Sequence, residues 1–151
     1  MMLKCTTLCY IEKDNKYLML YRNKKKNDVN AGKWIGVGGH FLDGETADEC
    51  LTREVLEETG LTLLDYELRG KIIFYIDELI EECFVYTSSH FEGELINCDE
   101  GDLKWIDKAD ILNLSLWEGD YLFLKNLLND GNYFEMKLIY KNDKLISYEV
   151  R

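Results

Sequence analysis

Apolar and polar positions alternate with period two over residues 5–12 and again over 16–21, the spacing of strands with distinct faces. Asp14-Asn15 lies between them, and both residue types tolerate left-handed backbone, so the pair predicts a hairpin. Residues 34–37 form a short apolar run into a glycine-rich stretch, read as one strand and a loop. From 46 to 59 the pattern turns helical: no Gly, no Pro, many helix formers, and Gly60 placed to end it. Residues 66–76 and 82–90, rich in aromatic and β-branched residues, predict two more strands, and 103–106 another. Residues 108–112 predict a short helix, and 118–129 a longer one ending at Gly131. A closing hairpin is expected from 135–140 and 144–150 around Asn142-Asp143. Strands flanked by two main helices make an α/β layered domain.

On the 46–59 helix, Glu54, Glu57 and Glu58 stand at i, i+3 and i+4 and share a face. At roughly 100° per residue that face also carries Ala47, Cys50 and Leu51, while Asp48, Glu49 and Thr52 point away. The three glutamates are therefore expected to continue the inward stripe; Leu56 does not fit this division. Three inward carboxylates repel one another, and each resists ionising. A hard divalent cation removes the conflict, and Mg²⁺, or Mn²⁺ in its place, suits such oxygen ligands together with substrate phosphates. Arg53, beside Glu54 and four before Glu57, is placed to pair with and orient a carboxylate. The bland alternative is an amphipathic helix stabilised by Arg–Glu pairs. Against it stand the upstream glycines 36, 38 and 39 and the carboxyl of Glu45. Gly38 and Gly39 let backbone come close to a ligand, offering a carbonyl to a metal and N–H groups to phosphate.

At 151 residues, 46% hydrophobic and 13% aromatic, the chain is expected to form one globular domain over 1–151 with a sizeable core. No apolar run reaches membrane-span length and no long signal-peptide core opens the chain, so a cytoplasmic protein without membrane partners is expected. Five cysteines without a C-x-x-C pair, and only two histidines, favour reduced thiols over a zinc site. A net charge of −11 argues against nucleic acid polymers as partners. It repels even a free nucleotide unless metal and local cations offset it. Arg22, Lys24, Lys25, Lys26 and Lys33 are the local cations. Arg22, at the end of a predicted strand, is the best-placed phosphate contact; a solvated basic loop is the alternative.

Residues 39–61 read G-x5-E-x7-R-E-U-x-E-E-x-G-U with U aliphatic: Gly39, Glu45, Arg53, Glu54, Val55, Glu57, Glu58, Gly60 and Leu61. Every specified position is filled, and the chain resembles the Nudix hydrolases, which cleave nucleoside diphosphates linked to another group. The resemblance implies a mixed sheet between helices, and a metal held by Glu54, Glu57, Glu58 and the Gly38 carbonyl. Three further segments are similar to MutT-like hydrolases of oxidised purine nucleotides. They are Gly32-Lys33-Trp34, Cys98-Asp99-Glu100-Gly101 leading to Trp105, and Leu116-Trp117-Glu118-Gly119-Asp120.

That second likeness implies Glu100 as a further metal ligand or as the base that activates water, and Asp120 as reader of a guanine-like edge. Trp117, opening a helix after a loop, is suited to stack on a base. The ordinary readings are an acid in an acidic turn for Glu100 and a core aromatic for Trp117. Ile35 departs from the pattern: animal members carry Asn there, and an apolar side chain cannot make that polar base contact. His40 stands where Lys is frequent; it either approaches phosphate or sits on the surface. The expected activity is Mg²⁺-dependent hydrolysis of a (deoxy)nucleoside triphosphate to monophosphate and pyrophosphate, with oxidised purines such as 8-oxo-dGTP as substrates. Alternatives are another nucleoside diphosphate derivative (a nucleotide sugar, a dinucleoside polyphosphate or an RNA cap) and a non-catalytic nucleotide-sensing module. The sequence carries no signal of oligomeric state.

Overall fold

A computed structural model describes residues 2–129 and 131–151, without the side chain of Met2. The strands are β1 (Met2–Lys13), β2 (Lys16–Arg22), β3 (Trp34–Ile35), β4 (Val37–His40), β5 (Leu61–Ile76), β6 (Leu79–Gly93), β7 (Gly101–Asp107), β8 (Phe134–Lys141) and β9 (Lys144–Val150). Two α-helices, α1 (Ala47–Thr59) and α2 (Asp120–Leu128), and a 3-10 helix, Lys108–Asn113, complete the described residues. The strands join in the order β3-β2-β1-β6-β5-β8-β9, with β4 also on β1 and β7 also on β2. The β1–β6 and β5–β8 pairs are parallel and the remaining pairs antiparallel, so the sheet is mixed.

Both predicted hairpins form, because Asp14, Asn15, Asn142 and Asp143 all take positive φ, as a tight two-residue turn requires. Thr46 caps α1 rather than opening it: its hydroxyl accepts from the Glu49 N–H at 3.2 Å, and its own N–H donates to the Glu49 carboxylate at 3.0 Å. Gly60, at φ 81°, closes the helix in the left-handed region that favours glycine.

The two helices cover opposite faces of the strands. Cys9 and Ile11 of β1, with Leu18 and Leu20 of β2, pack with Leu51 and Val55 of α1. Tyr10, Tyr17 and Met19 point the other way and pack with Phe123 and Leu124 of α2. Strands β1 and β2 are thus buried on both faces, each buried Leu or Val contributing about 1.5–3 kcal/mol. Leu56 is 50% exposed, which accounts for its failure to join the inward stripe. The expected 34–37 strand divides at Gly36 into β3, paired with β2, and β4, paired with β1. Strand β5 begins at Leu61, ahead of the expected 66, with register shifts that let it follow β6. The last helix starts at Asp120 instead of 118, and the 108–112 helix is a 3-10 helix. Among the described residues no helix is long and apolar enough to cross a membrane.

Candidate active site

Helix α1 lies against β4, so its carboxylates meet the glycine-rich strand end. The Gly38 N–H donates to Glu58 Oε2 at 2.9 Å. A Cβ at Gly39 would stand 2.5 Å from the Glu54 carboxylate, so only glycine lets helix and strand approach this closely. Glu58 is 8% exposed, and burial, then a hydrogen bond with Glu100 and the charges of Glu100 and Glu54, holds its carboxyl well above the usual carboxylate range. Burial also raises Glu54, partly offset by Arg53. Glu100 is pushed up by burial, but its hydrogen bond with Glu58 and the charges of Arg22 and Lys25 outweigh this and leave it below its ordinary value.

Glu57 departs from the expected inward position: its side chain is 59% exposed. The helix meets the rest of the site along its Glu54–Glu58 edge, and Glu57 lies at the solvent-facing border of that edge. Among the described residues no three His, Cys, Asp or Glu side chains form a ready metal cage. Glu54, Glu58 and Glu100 act on one another electrostatically without closing on one point.

Arg53 is the hub of the helix. Its Nε and Nη2 bind the two Glu45 oxygens at 2.7 and 2.9 Å, its Nη1 binds Glu54 at 2.8 Å and Glu57 at 3.2 Å, and Nη2 also reaches the His40 carbonyl at 3.1 Å. Its guanidinium holds the Glu45 carboxyl well below the usual range. Arg53 thus touches both Glu54 and Glu57, and Glu45 holds it from the other side. The His40 side chain is largely exposed and turned toward Glu81, 3.8 Å away.

The basic loop is engaged with the acidic turn opposite it, because β2–β7 pairing sets Arg22 against Gly101. Arg22 is buried, its Nε on Asp28 at 2.8 Å and its Nη1 on Glu100 at 3.2 Å. Lys25 also meets Glu100 at 3.4 Å, and Lys24 meets Asp102 at 3.7 Å. Arg22 thus joins Asp28 to Glu100.

Trp117 is half-buried, its ring edge-on to Tyr140 with centroids 5.9 Å apart. Its Nε1–H donates to Asn30 Oδ1 at 2.7 Å, and Lys33 Nζ stands 5.5 Å over the ring. Asp120 opens α2 and is 6% exposed. Burial raises its carboxyl to about 7, with Lys33 alone opposing. Among the described residues nothing donates a hydrogen bond to that carboxyl. Ile35 packs against the core beneath α1. Asn30 is the site neighbour that the sequence reading missed: 87 residues separate it from Trp117, and no local pattern marks the contact.

A mixed sheet between two helices, with a carboxylate-bearing helix set against a glycine-rich strand end, is the architecture of a Nudix domain. The family model for the NUDIX domain matches residues 2–127, and the chain belongs to this family. It is 28% identical over 155 residues to the uncharacterized Nudix hydrolase YvcI of Bacillus subtilis, covering 98% of this chain and 94% of that protein. It is also 28% identical over 149 residues to the oxidized purine nucleoside triphosphate hydrolase of Danio rerio, covering 97% and 94%. Among solved structures, the MutT protein from Bacillus halodurans superposes with a TM-score of 0.88 at 28% identity, covering 97% of each chain. Nudix hydrolases generally use a divalent metal ion and act on small nucleotide substrates.

Proposed function

We propose that this protein is a Mg²⁺-dependent nucleoside triphosphate pyrophosphohydrolase that releases monophosphate and pyrophosphate, with oxidised purine nucleotides such as 8-oxo-dGTP as preferred substrates. The observation that carries the reading is the set of carboxylates of Glu54, Glu58 and Glu100, with Glu58 buried and the other two half-buried, beside the Gly38–Gly39 backbone. Burial and the neighbouring carboxylates disfavour the charge of Glu54 and Glu58, and a hard dication with oxygen ligands fits the donor set. Glu54, Glu57, Glu58 and Glu100 would hold the metal, with the Gly38 carbonyl. When bound, it supplies neutralisation of phosphate charge and a lowered pKa for the attacking water.

The chain's own groups do the rest. Arg53 orients Glu54 and Glu57 and is itself held by Glu45. Gly39, without a side chain, lets the Glu54 carboxylate lie against the strand end. Arg22 holds Glu100 in place. Trp117 offers a ring for stacking, and the buried, unpaired carboxyl of Asp120 offers an acceptor, or a donor when protonated, to a base edge. The Danio rerio relative, named an oxidized purine nucleoside triphosphate hydrolase, supports the substrate class.

A second reading, hydrolysis of another nucleoside diphosphate derivative, is favoured by Ile35, which sits against the core with no polar atom to offer a base.

Turnover is expected to require Mg²⁺ or Mn²⁺ and to vanish on chelation, because the proposed ligands are all oxygen. Activity in metal-titrated buffer, with elemental analysis of the purified protein, checks this. Chelator-resistant turnover with stoichiometric zinc would overturn the metal assignment.

A further inference from the structure

Trp117 lies in the loop between the 3-10 helix and α2, where no strand or helix hydrogen bonds fix its ring. Tyr140 packs against the ring, and the indole N–H end is held by a contact from the 28–31 turn. An indole N–H can only donate, so the Asn30 amide must present its oxygen, as it does at 2.7 Å. The turn carries hydrogen bonds of its own. The Asp28 side chain is 6% exposed; its Oδ1 accepts from the Asn30 N–H at 3.1 Å, and its carbonyl accepts from the Ala31 N–H at 3.0 Å. Asp28 Oδ2 accepts from Arg22 Nε at 2.8 Å, and Arg22 Nη1 donates to Glu100 at 3.2 Å. One unbroken run of hydrogen bonds therefore leads from Glu100 through Arg22, Asp28 and Asn30 to the indole of Trp117. Lys33, just past the turn, stands over the ring face, and its backbone carbonyl accepts from the Arg22 N–H at 3.0 Å.

We propose that Asn30 is a positioning residue for Trp117, and that the Asp28–Asn30 turn, anchored by Arg22, sets the distance between the base-stacking ring and the carboxylate end of the site. This rests on the function proposed above, in which Trp117 stacks on the base. The turn then determines how large a nucleotide spans the site. Loss of the Asn30 side chain acts on binding of the base rather than on the reacting phosphates.

The test uses the full-length protein with Trp34 and Trp105 replaced by Phe, leaving Trp117 as its one tryptophan, and compares it with Asn30→Ala and Asn30→Asp in that background. Asn30→Ala is expected to red-shift Trp117 emission and increase its quenching by acrylamide. It is also expected to raise KM for 8-oxo-dGTP and dGTP about 5- to 10-fold, the effect of one lost hydrogen bond, with kcat nearly unchanged. Asn30→Asp keeps the acceptor oxygen and is expected to restore both readouts. Thermal unfolding of each variant separates this from a loss of fold, since a merely structural residue moves the melting temperature and leaves KM alone. Unshifted emission with unchanged KM in Asn30→Ala would overturn the proposal. If the unmutated protein hydrolyses neither purine triphosphate, the proposed function fails and control of base binding falls with it. The emission shift still reads whether Asn30 holds the ring. If it hydrolyses them and only the emission and KM effects are missing, the positioning role alone fails.

Discussion

Replacing Glu57 by Gln is expected to lower turnover by about 10²- to 10⁴-fold while leaving the protein folded. A carboxylate that binds the metal contributes several kcal/mol to stabilising charge in the transition state, and each ~1.4 kcal/mol is a factor of ten in rate. The cost to the fold is small for a reason visible in the structure. The Glu57 side chain is 59% exposed, and its ion pair with Arg53, at 3.2 Å, is a solvent-screened i,i+4 contact. Such pairs contribute about 0.3–0.5 kcal/mol. Arg53 keeps its two bonds to Glu45 and its bond to Glu54, so it does not follow Glu57 out of place. Steady-state kinetics and thermal unfolding on the same preparation check both parts. A folded Glu57→Gln protein with near wild-type rates would remove Glu57 from the metal-binding set.

Asp120→Asn is expected to change two things at once. The first is discrimination. If the carboxyl reads the base, an amide presents a different donor and acceptor set, and one mismatched contact in a buried site costs about 1–3 kcal/mol. The ratio of kcat/KM for 8-oxo-dGTP over dGTP should move by roughly 5- to 150-fold. The second is stability, with a defined sign. The Asp120 carboxyl is raised by burial from 3.8 to about 7, with Tyr10, Cys83 and Tyr140 in electrostatic reach and Lys33 opposing.

Below pH 4 the folded and unfolded chains both hold this proton, so it has no effect on stability. Between pH 4 and 7 the folded chain holds it and the unfolded chain has lost it, so stability falls as pH rises. Above pH 7 the full cost of the buried charge is present, on the order of 4 kcal/mol. The favourable position of an anion at the start of α2 offsets at most about 1–2 kcal/mol. Asp120→Asn should therefore melt higher than wild type at pH 8, and the gap should close toward pH 4. Equal melting temperatures across that range would show that the carboxyl carries no burial cost. An unchanged substrate profile would remove Asp120 from the base site.

The parts of this molecule that were legible in the sequence are those governed by short-range rules. The turns at Asp14-Asn15 and Asn142-Asp143 were readable because positive φ selects Asn and Asp. Helix α1 was readable from composition and from Gly60. The mixed sheet and its covering helices followed from the likeness carried by residues 39–61. What escaped depends on contacts between distant segments. The outward position of Glu57 could not be read from a helical wheel, which separates a buried face from a wet one but cannot show where a buried face opens onto a cleft. Arg22 meets Glu100 across 78 residues, so no local pattern marks their pairing. The single strand expected at 34–37 divides at Gly36 because two different partners, β2 and β1, compete for its two halves.

The proposed reaction is attack within a nucleoside triphosphate that leaves monophosphate and pyrophosphate. The direct measurement is product analysis by anion-exchange chromatography after incubation with Mg²⁺ and 8-oxo-dGTP, dGTP, a nucleotide sugar or a capped dinucleotide. Equal amounts of nucleoside monophosphate and pyrophosphate are expected from the triphosphates, with the highest kcat/KM for 8-oxo-dGTP. Release of orthophosphate, or turnover confined to the nucleotide sugar or the cap, would contradict it.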